Sequence, residues 1–122
     1  MGVRLGEPDD HVTLERVDQV RGDVELRLVV HRPGFHGEIS AWIADSAWTA
    51  FLDALTALER TRAGSATLHP MSPGPPLLTV RIADPLGHAT LDGELRTPTT
   101  ALSFRDLPVD GGSLAGIVRA LS

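Results

Sequence analysis

Gly37-Glu38-Ile39-Ser40-Ala41-Trp42-Ile43-Ala44 runs without a break into Asp45-Ser46-Ala47-Trp48-Thr49-Ala50-Phe51-Leu52-Asp53-Ala54-Leu55-Thr56-Ala57-Leu58, and the change of period between the two halves decides the fold. In the first half Ile39, Ala41 and Ile43 alternate with Glu38, Ser40 and Trp42. That period of two marks a half-buried strand. In the second half Trp48, Phe51, Leu52, Leu55 and Leu58 fall at i, i+3, i+4, i+7 and i+10. They make one apolar stripe on a helix, which needs a sheet or another helix to cover it. Asp45 or Ser46 is a suitable N-cap, because its side-chain oxygen can accept from a free N–H of the first turn. Arg60 and Arg62 stand in the last turn, where the helix dipole favours cations, and Gly64 suits the position past the end.

Upstream, Asp23 to His31 repeats the strand signal. Val24, Leu26, Leu28 and Val30 share one parity, and Glu25, Arg27, Val29 and His31 the other. Arg21-Gly22-Asp23 and Arg32-Pro33-Gly34 read as turns on either side. Val12 and Leu14 give a weaker strand starting near His11, and residues 1–10 read as a loose lead-in. Downstream, Ser65 to His69 is a short strand, and Pro70-Met71-Ser72-Pro73-Gly74-Pro75-Pro76 is a stiff connecting loop. Leu77 to Ala83 and His88 to Arg96 are strands about Asp84-Pro85-Leu86-Gly87, which fits a type I turn. After Thr97-Pro98, Thr99 to Arg105 offers Leu102 and Phe104 for burial. Asp110-Gly111-Gly112-Ser113 then leads into a last helix, with Leu114, Ile117, Val118 and Leu121 on one face.

The element order is thus β-β-β-α-β-β-β-β-α, without internal repeats. Short turns between consecutive strands favour antiparallel pairing. The expected architecture is α+β: a single twisted antiparallel sheet of about six or seven strands, the long helix packed on one face, and a short C-terminal helix. Phe51, Leu52 and Leu55 should then pack on Leu26, Leu28, Ile39, Ile43, Val80 and Leu91.

Composition narrows the function more than it defines it. The chain has 122 residues, 42% apolar and 22% charged, which suits a single globular domain over residues 1–122. It has no cysteine, so disulfides, thiol nucleophiles and cysteine metal sites are excluded. All eleven cations are arginine, with no Lys, Asn or Tyr, the mark of a GC-rich coding sequence. They are scattered, so no basic patch points to nucleic acid. The net charge of −5 favours basic partners and solubility alike. No apolar run approaches the ~18–20 residues of a membrane span. The opening residues match neither a secretory leader nor a transit peptide, so the expected location is cytoplasmic.

Few residues suggest chemistry. His31, His36 and Glu38 could meet across a strand-turn-strand segment. No HExxH pattern and no further paired histidine supports them, so neither a metal nor a cofactor is expected. His88 and Asp92 lie on one strand face but about 13 Å apart, too far for a dyad. Neither a nucleophile elbow nor a phosphate-binding glycine loop occurs. Trp42 has polar-side parity: either a loop or the last helix covers it, or it is an exposed contact anchor. With Glu25, Glu38, Asp92 and Glu94 it would form a docking surface on the uncovered side of the sheet, an apolar anchor with an acidic rim.

Four stretches carry a family likeness: Gly34-Phe35-His36-Gly37-Glu38-Ile39-Ser40-Ala41-Trp42-Ile43 running into a helix, Gly64-Ser65-Ala66-Thr67-Leu68, Asp84-Pro85-Leu86-Gly87-His88 with Gly93-Glu94-Leu95, and the apolar last helix. Over roughly residues 12–121 the chain resembles the WapI-type immunity proteins and similar small bacterial proteins. The resemblance implies a cytoplasmic, non-enzymatic protein that neutralises a toxin domain by binding it, and supplies no catalytic residues. The expected partner is a protein, a basic toxin domain such as a nuclease. A small-molecule-binding or enzymatic domain, and a homo-dimer or other self-assembling module pairing through an edge strand, are the competing readings.

Overall fold

The computed structural model describes residues 2–84, 86, 88–110 and 114–122. Eight strands and two helices follow in the order β1 (Gly2–Glu7), β2 (Asp10–Val20), β3 (Asp23–Arg32), β4 (Phe35–Ile43), α1 (Asp45–Thr61), β5 (Ser65–Leu68), β6 (Leu78–Ile82), β7 (His88–Arg96), β8 (Ala101–Asp110) and α2 (Leu114–Leu121). The class is α+β with antiparallel pairing throughout. The single sheet of six or seven strands is not found. The strands form two four-stranded sheets, β1-β2-β3-β4 and β5-β6-β7-β8.

Two facts produce the difference. Residues 2–7 are a strand rather than a loose lead-in: Pro8-Asp9 closes a tight hairpin in which Glu7 faces Asp10, and Leu5 is buried. At the other boundary α1 intervenes between β4 and β5, and no ladder joins them. The chain is therefore four strands and a helix twice over, although no repeat marks it in the sequence. The helices are exchanged: α1 packs against β5 of the second half, α2 against β1 of the first, and the helices touch each other. This arrangement closes one core. Among the described residues every buried side chain is apolar.

The inward parities hold. Val24, Leu26, Leu28, Val30, Leu78, Val80 and Leu91 are all buried, as are Phe51 and Leu55 of α1. Ile39, Ala41 and Leu52 are only partly covered against that core. Arg21 and Gly22 at the β2–β3 turn both have positive φ, the conformation a two-residue hairpin prefers. The type I turn expected over Asp84–Gly87 includes Pro85 and Gly87, which lie outside the described residues, as do Gly111, Gly112 and Ser113.

The helix ends depart from expectation. Neither Asp45 nor Ser46 caps α1; the N-cap residue is Ala44, without a side-chain bond. Asp23 of β3 does the work from outside, its Oδ1 accepting from the Asp45 N–H at 2.9 Å. The adjacent hairpin tip fits closely: a Cβ on Gly22 would lie 2.6 Å from the Asp45 carboxyl carbon. At the other end the left-handed C-cap is Arg62, φ 57°, rather than Gly64. Because an N-cap oxygen contributes about 1 kcal/mol, Asp23→Ala is expected to lower stability by that amount. Chemical denaturation measures it, with Asp53→Ala on the exposed face of α1 as the neutral control.

Candidate functional site

The concave surface with the most sequence character lies along the outer edge of β4. Ile39, Ala41 and Trp42 form one wall, the proline-rich segment around Met71 another, and Leu77 and Glu94 the far side. The groove encloses about 460 Å³. β4 is an edge strand of its sheet. Trp42 turns its carbonyl away from β3 and accepts from the Met71 N–H at 2.9 Å. Along an antiparallel strand, main-chain groups alternate between the partner and the open side. Ser40 and Glu38 therefore carry their N–H and C=O on the same open edge as Trp42. No backbone partner meets them among the described residues.

The indole of Trp42 is half-buried. The proline-rich segment lies beside it without enclosing it, and the last helix does not line this groove. Leu77 and Met71 are groove residues that sequence reasoning passed over. The segment Pro70–Pro76 reads as a connector by composition, and the bond from Met71 to β4 is a long-range event that composition does not signal.

The five residues expected on one uncovered face do not form one patch. Glu25, Glu38 and Trp42 belong to the first sheet, Asp92 and Glu94 to the second. Trp42 and Glu94 come together in the groove. Glu25 stands directly opposite Trp42 across the β3–β4 ladder. Asp92 joins Glu94 in an adjoining depression of about 370 Å³ and does not reach Trp42's groove. Glu38 lies four ladder rows from Trp42, facing Val29.

Nor is the rim a bare set of carboxylates. Glu38 is 3.6 Å from the Arg27 guanidinium, which also binds Glu15 at 2.8 Å. Asp92 binds Arg81 at 2.9 Å and accepts from the Asp106 N–H at 2.9 Å. That second bond holds the bulge at which β8 gains a residue over β7, where Asp106 has φ 55°. Glu94 accepts from Ser103 Oγ at 3.0 Å and from Arg96 at 2.9 Å. Ser103 first, then Arg96, hold its carboxyl below the ordinary carboxylate range. The folded form favours the ionised acid, so this contribution is present at neutral pH and fades as pH falls through the acid's titration. An arginine thus offsets most of the acidic rim, across neighbouring strands for Glu38 and Asp92 and along the same strand for Glu94.

The excluded dyad stays apart. His88 bonds Asp84 at 2.7 Å, and Asp92 turns to Arg81. That bond, more than any other cause, holds the Asp84 carboxyl below its usual range. His31 and His36 do meet, as facing partners in the β3–β4 ladder, but Glu38 leaves them for Arg27. Among the described residues no group of three or more His, Asp or Glu side chains surrounds a common metal position. Among the described residues no helix is long and apolar enough to cross a membrane. No family model, curated protein or solved structure matches the chain.

Proposed function

We propose that the protein is a non-enzymatic binding protein that neutralises a bacterial toxin domain by direct contact, docking it on the groove beside Trp42. The observation that carries the reading is the half-exposed indole at the open edge of β4. A large aromatic ring in a concave, partly apolar setting is the usual anchor of a protein interface. The unpaired main-chain groups of Ser40 and Glu38 add the capacity to bond an extended partner segment. On this reading the protein acts in the cytoplasm, as the resemblance to WapI-type immunity proteins implies.

The preference for a basic partner rests on the net charge of −5. Long-range attraction depends on total charge and speeds encounter, even where individual carboxylates are matched by arginines. Charge reversal at Glu25, Glu38 or Glu94 changes the total charge by the same amount, so each should slow association and weaken its salt dependence.

The neighbouring reading frames supply the test: a toxin domain encoded there is produced as an inactive variant and its binding kinetics are followed. Trp42→Ala is expected to raise the dissociation rate at least about tenfold, equivalent to 1.4 kcal/mol, with little change in association. A complex indifferent to Trp42→Ala overturns the docking site. Failure of any neighbouring product to bind overturns the functional reading itself.

A further inference from the structure

We propose that His11 and His31, flanked by His36, form a chelating site for a divalent transition-metal ion on the solvent face of the first sheet. The register assembles them. His11 faces His31 across the β2–β3 ladder, and His31 faces His36 across the β3–β4 ladder. Facing residues of adjacent strands share one side of the sheet, so three imidazoles stand in a single row. Their ring centres are 5.3 Å apart for His11–His31 and 6.2 Å for His31–His36. The chain has five histidines, so more than half of them gather here.

The chemistry of His11 strengthens the assignment. Its Nδ1 lies 3.0 Å from the Glu7 carbonyl oxygen. That acceptor requires a proton on Nδ1, which leaves the Nε2 lone pair free to bind. A backbone carbonyl on one ring nitrogen is a common way of orienting a metal-binding histidine. Neighbouring carboxylates are engaged elsewhere: Asp10 takes Arg32 at 2.7 Å, and Glu38 faces Arg27. The site is therefore an all-nitrogen one, suited to copper, nickel or zinc rather than magnesium or calcium.

Geometry sets the denticity. Metal–nitrogen bonds of about 2.1 Å place two imidazole centres on one ion roughly 4.5–5 Å apart. The His11–His31 separation of 5.3 Å is within easy reach of that distance. The two rings are stacked at an interplanar angle of 28°, so they must swing about their side-chain torsions to aim both nitrogens at one ion. His31 is exposed and His11 half-exposed, which leaves them room to turn without disturbing the core. Among the described residues no three metal-binding side chains surround a point, so the chelate has two histidines, with water in the remaining positions. Among the divalent ions copper should bind most tightly, following the general order of affinities.

The experiment titrates untagged protein with Cu²⁺, Ni²⁺, Zn²⁺ and Mg²⁺ and records the copper electron paramagnetic resonance spectrum. One tight Cu²⁺ per chain is expected, with hyperfine structure from two imidazole nitrogens, weaker Ni²⁺ and Zn²⁺ binding, and no Mg²⁺ binding. His31→Ala and His11→Ala should each weaken copper binding at least tenfold. His36→Ala should have a smaller effect, and His69→Ala and His88→Ala none. His31, His36, His69 and His88 are exposed and His11 is partly buried on the outer face of the sheet, so the variants remain folded, which circular dichroism checks. Copper affinity unchanged in both His11→Ala and His31→Ala, or a spectrum with a single nitrogen ligand, overturns the site.

Discussion

Leu55→Ala should cost about 2–5 kcal/mol of folding free energy, the range for deleting a fully buried leucine side chain. Leu55 has no exposed surface and lies in the middle of α1. The helix is the element through which the halves of the chain meet, packing on β5, on α2 and on β3. Truncation loses the transfer free energy of three carbons and opens a cavity that surrounding elements cannot collapse into, because each is held by its own ladder or helix. Urea or guanidinium denaturation should show a lower midpoint with an unchanged slope. Thr49→Ala, on the exposed side of the same helix, should stay within about 0.5 kcal/mol of the parent. A Leu55→Ala variant as stable as the parent would contradict the single shared core.

Gly93→Ala should be about as damaging, for the opposite reason. A Cβ built on Gly93 would lie 2.5 Å from the Leu77 carbonyl oxygen and 2.6 Å from Phe104 Cζ. Neither neighbour can retreat cheaply. The Leu77 oxygen is backbone and accepts from the Glu94 N–H at 3.2 Å, and Phe104 is buried in the core opposite Gly93 on β8. Overpacking of this kind costs typically about 1–3 kcal/mol, and more where the obstacle is main chain. Thermal or chemical unfolding reads the loss. Phe104→Leu introduced with Gly93→Ala should make the double variant less unstable than the summed single effects, because the ring is one of the two obstacles. Strict additivity would mean that the Leu77 carbonyl alone sets the cost. Glu94, next in the chain, lines the Trp42 groove, so the same variant should also disturb partner binding there.

Much of the candidate site was legible because strand parity is a local property. The outward side of Glu25, Glu38, Trp42, Asp92 and Glu94 follows from alternation with Val24, Ile39, Ile43, Leu91 and Leu95. Their distribution over two sheets was not legible, because nothing local to β4 or β7 says which sheet each strand joins. The arginine partners also escaped notice. Arg27 meets Glu15 and Glu38, and Arg81 meets Asp92, only once the ladders bring strands side by side. The histidine row shows the same limit. His31 and His36 flank one turn and are visible together in sequence, whereas His11 reaches them through the β2–β3 register.

Most of the elements are written in the local pattern of residues. Alternation of apolar and polar residues writes strands from β2 to β8, and an apolar stripe at helical spacing writes α1, because each pattern records which side of its own backbone leaves water. It did not reveal β1, whose Val3 and Leu5 are too few among glycines and polar residues to stand out as a strand. Tertiary structure alone decided that Asp23 rather than Asp45 caps α1, and that Met71 meets β4. It also decided that eight strands divide four and four, with each half's helix lying on the other half's first strand. The physical reason is common to all of these. Periodicity reports the direction of burial at each residue, whereas pairing depends on which distant edges and faces fill the same volume at close-packed density. That choice is made by the whole chain at once.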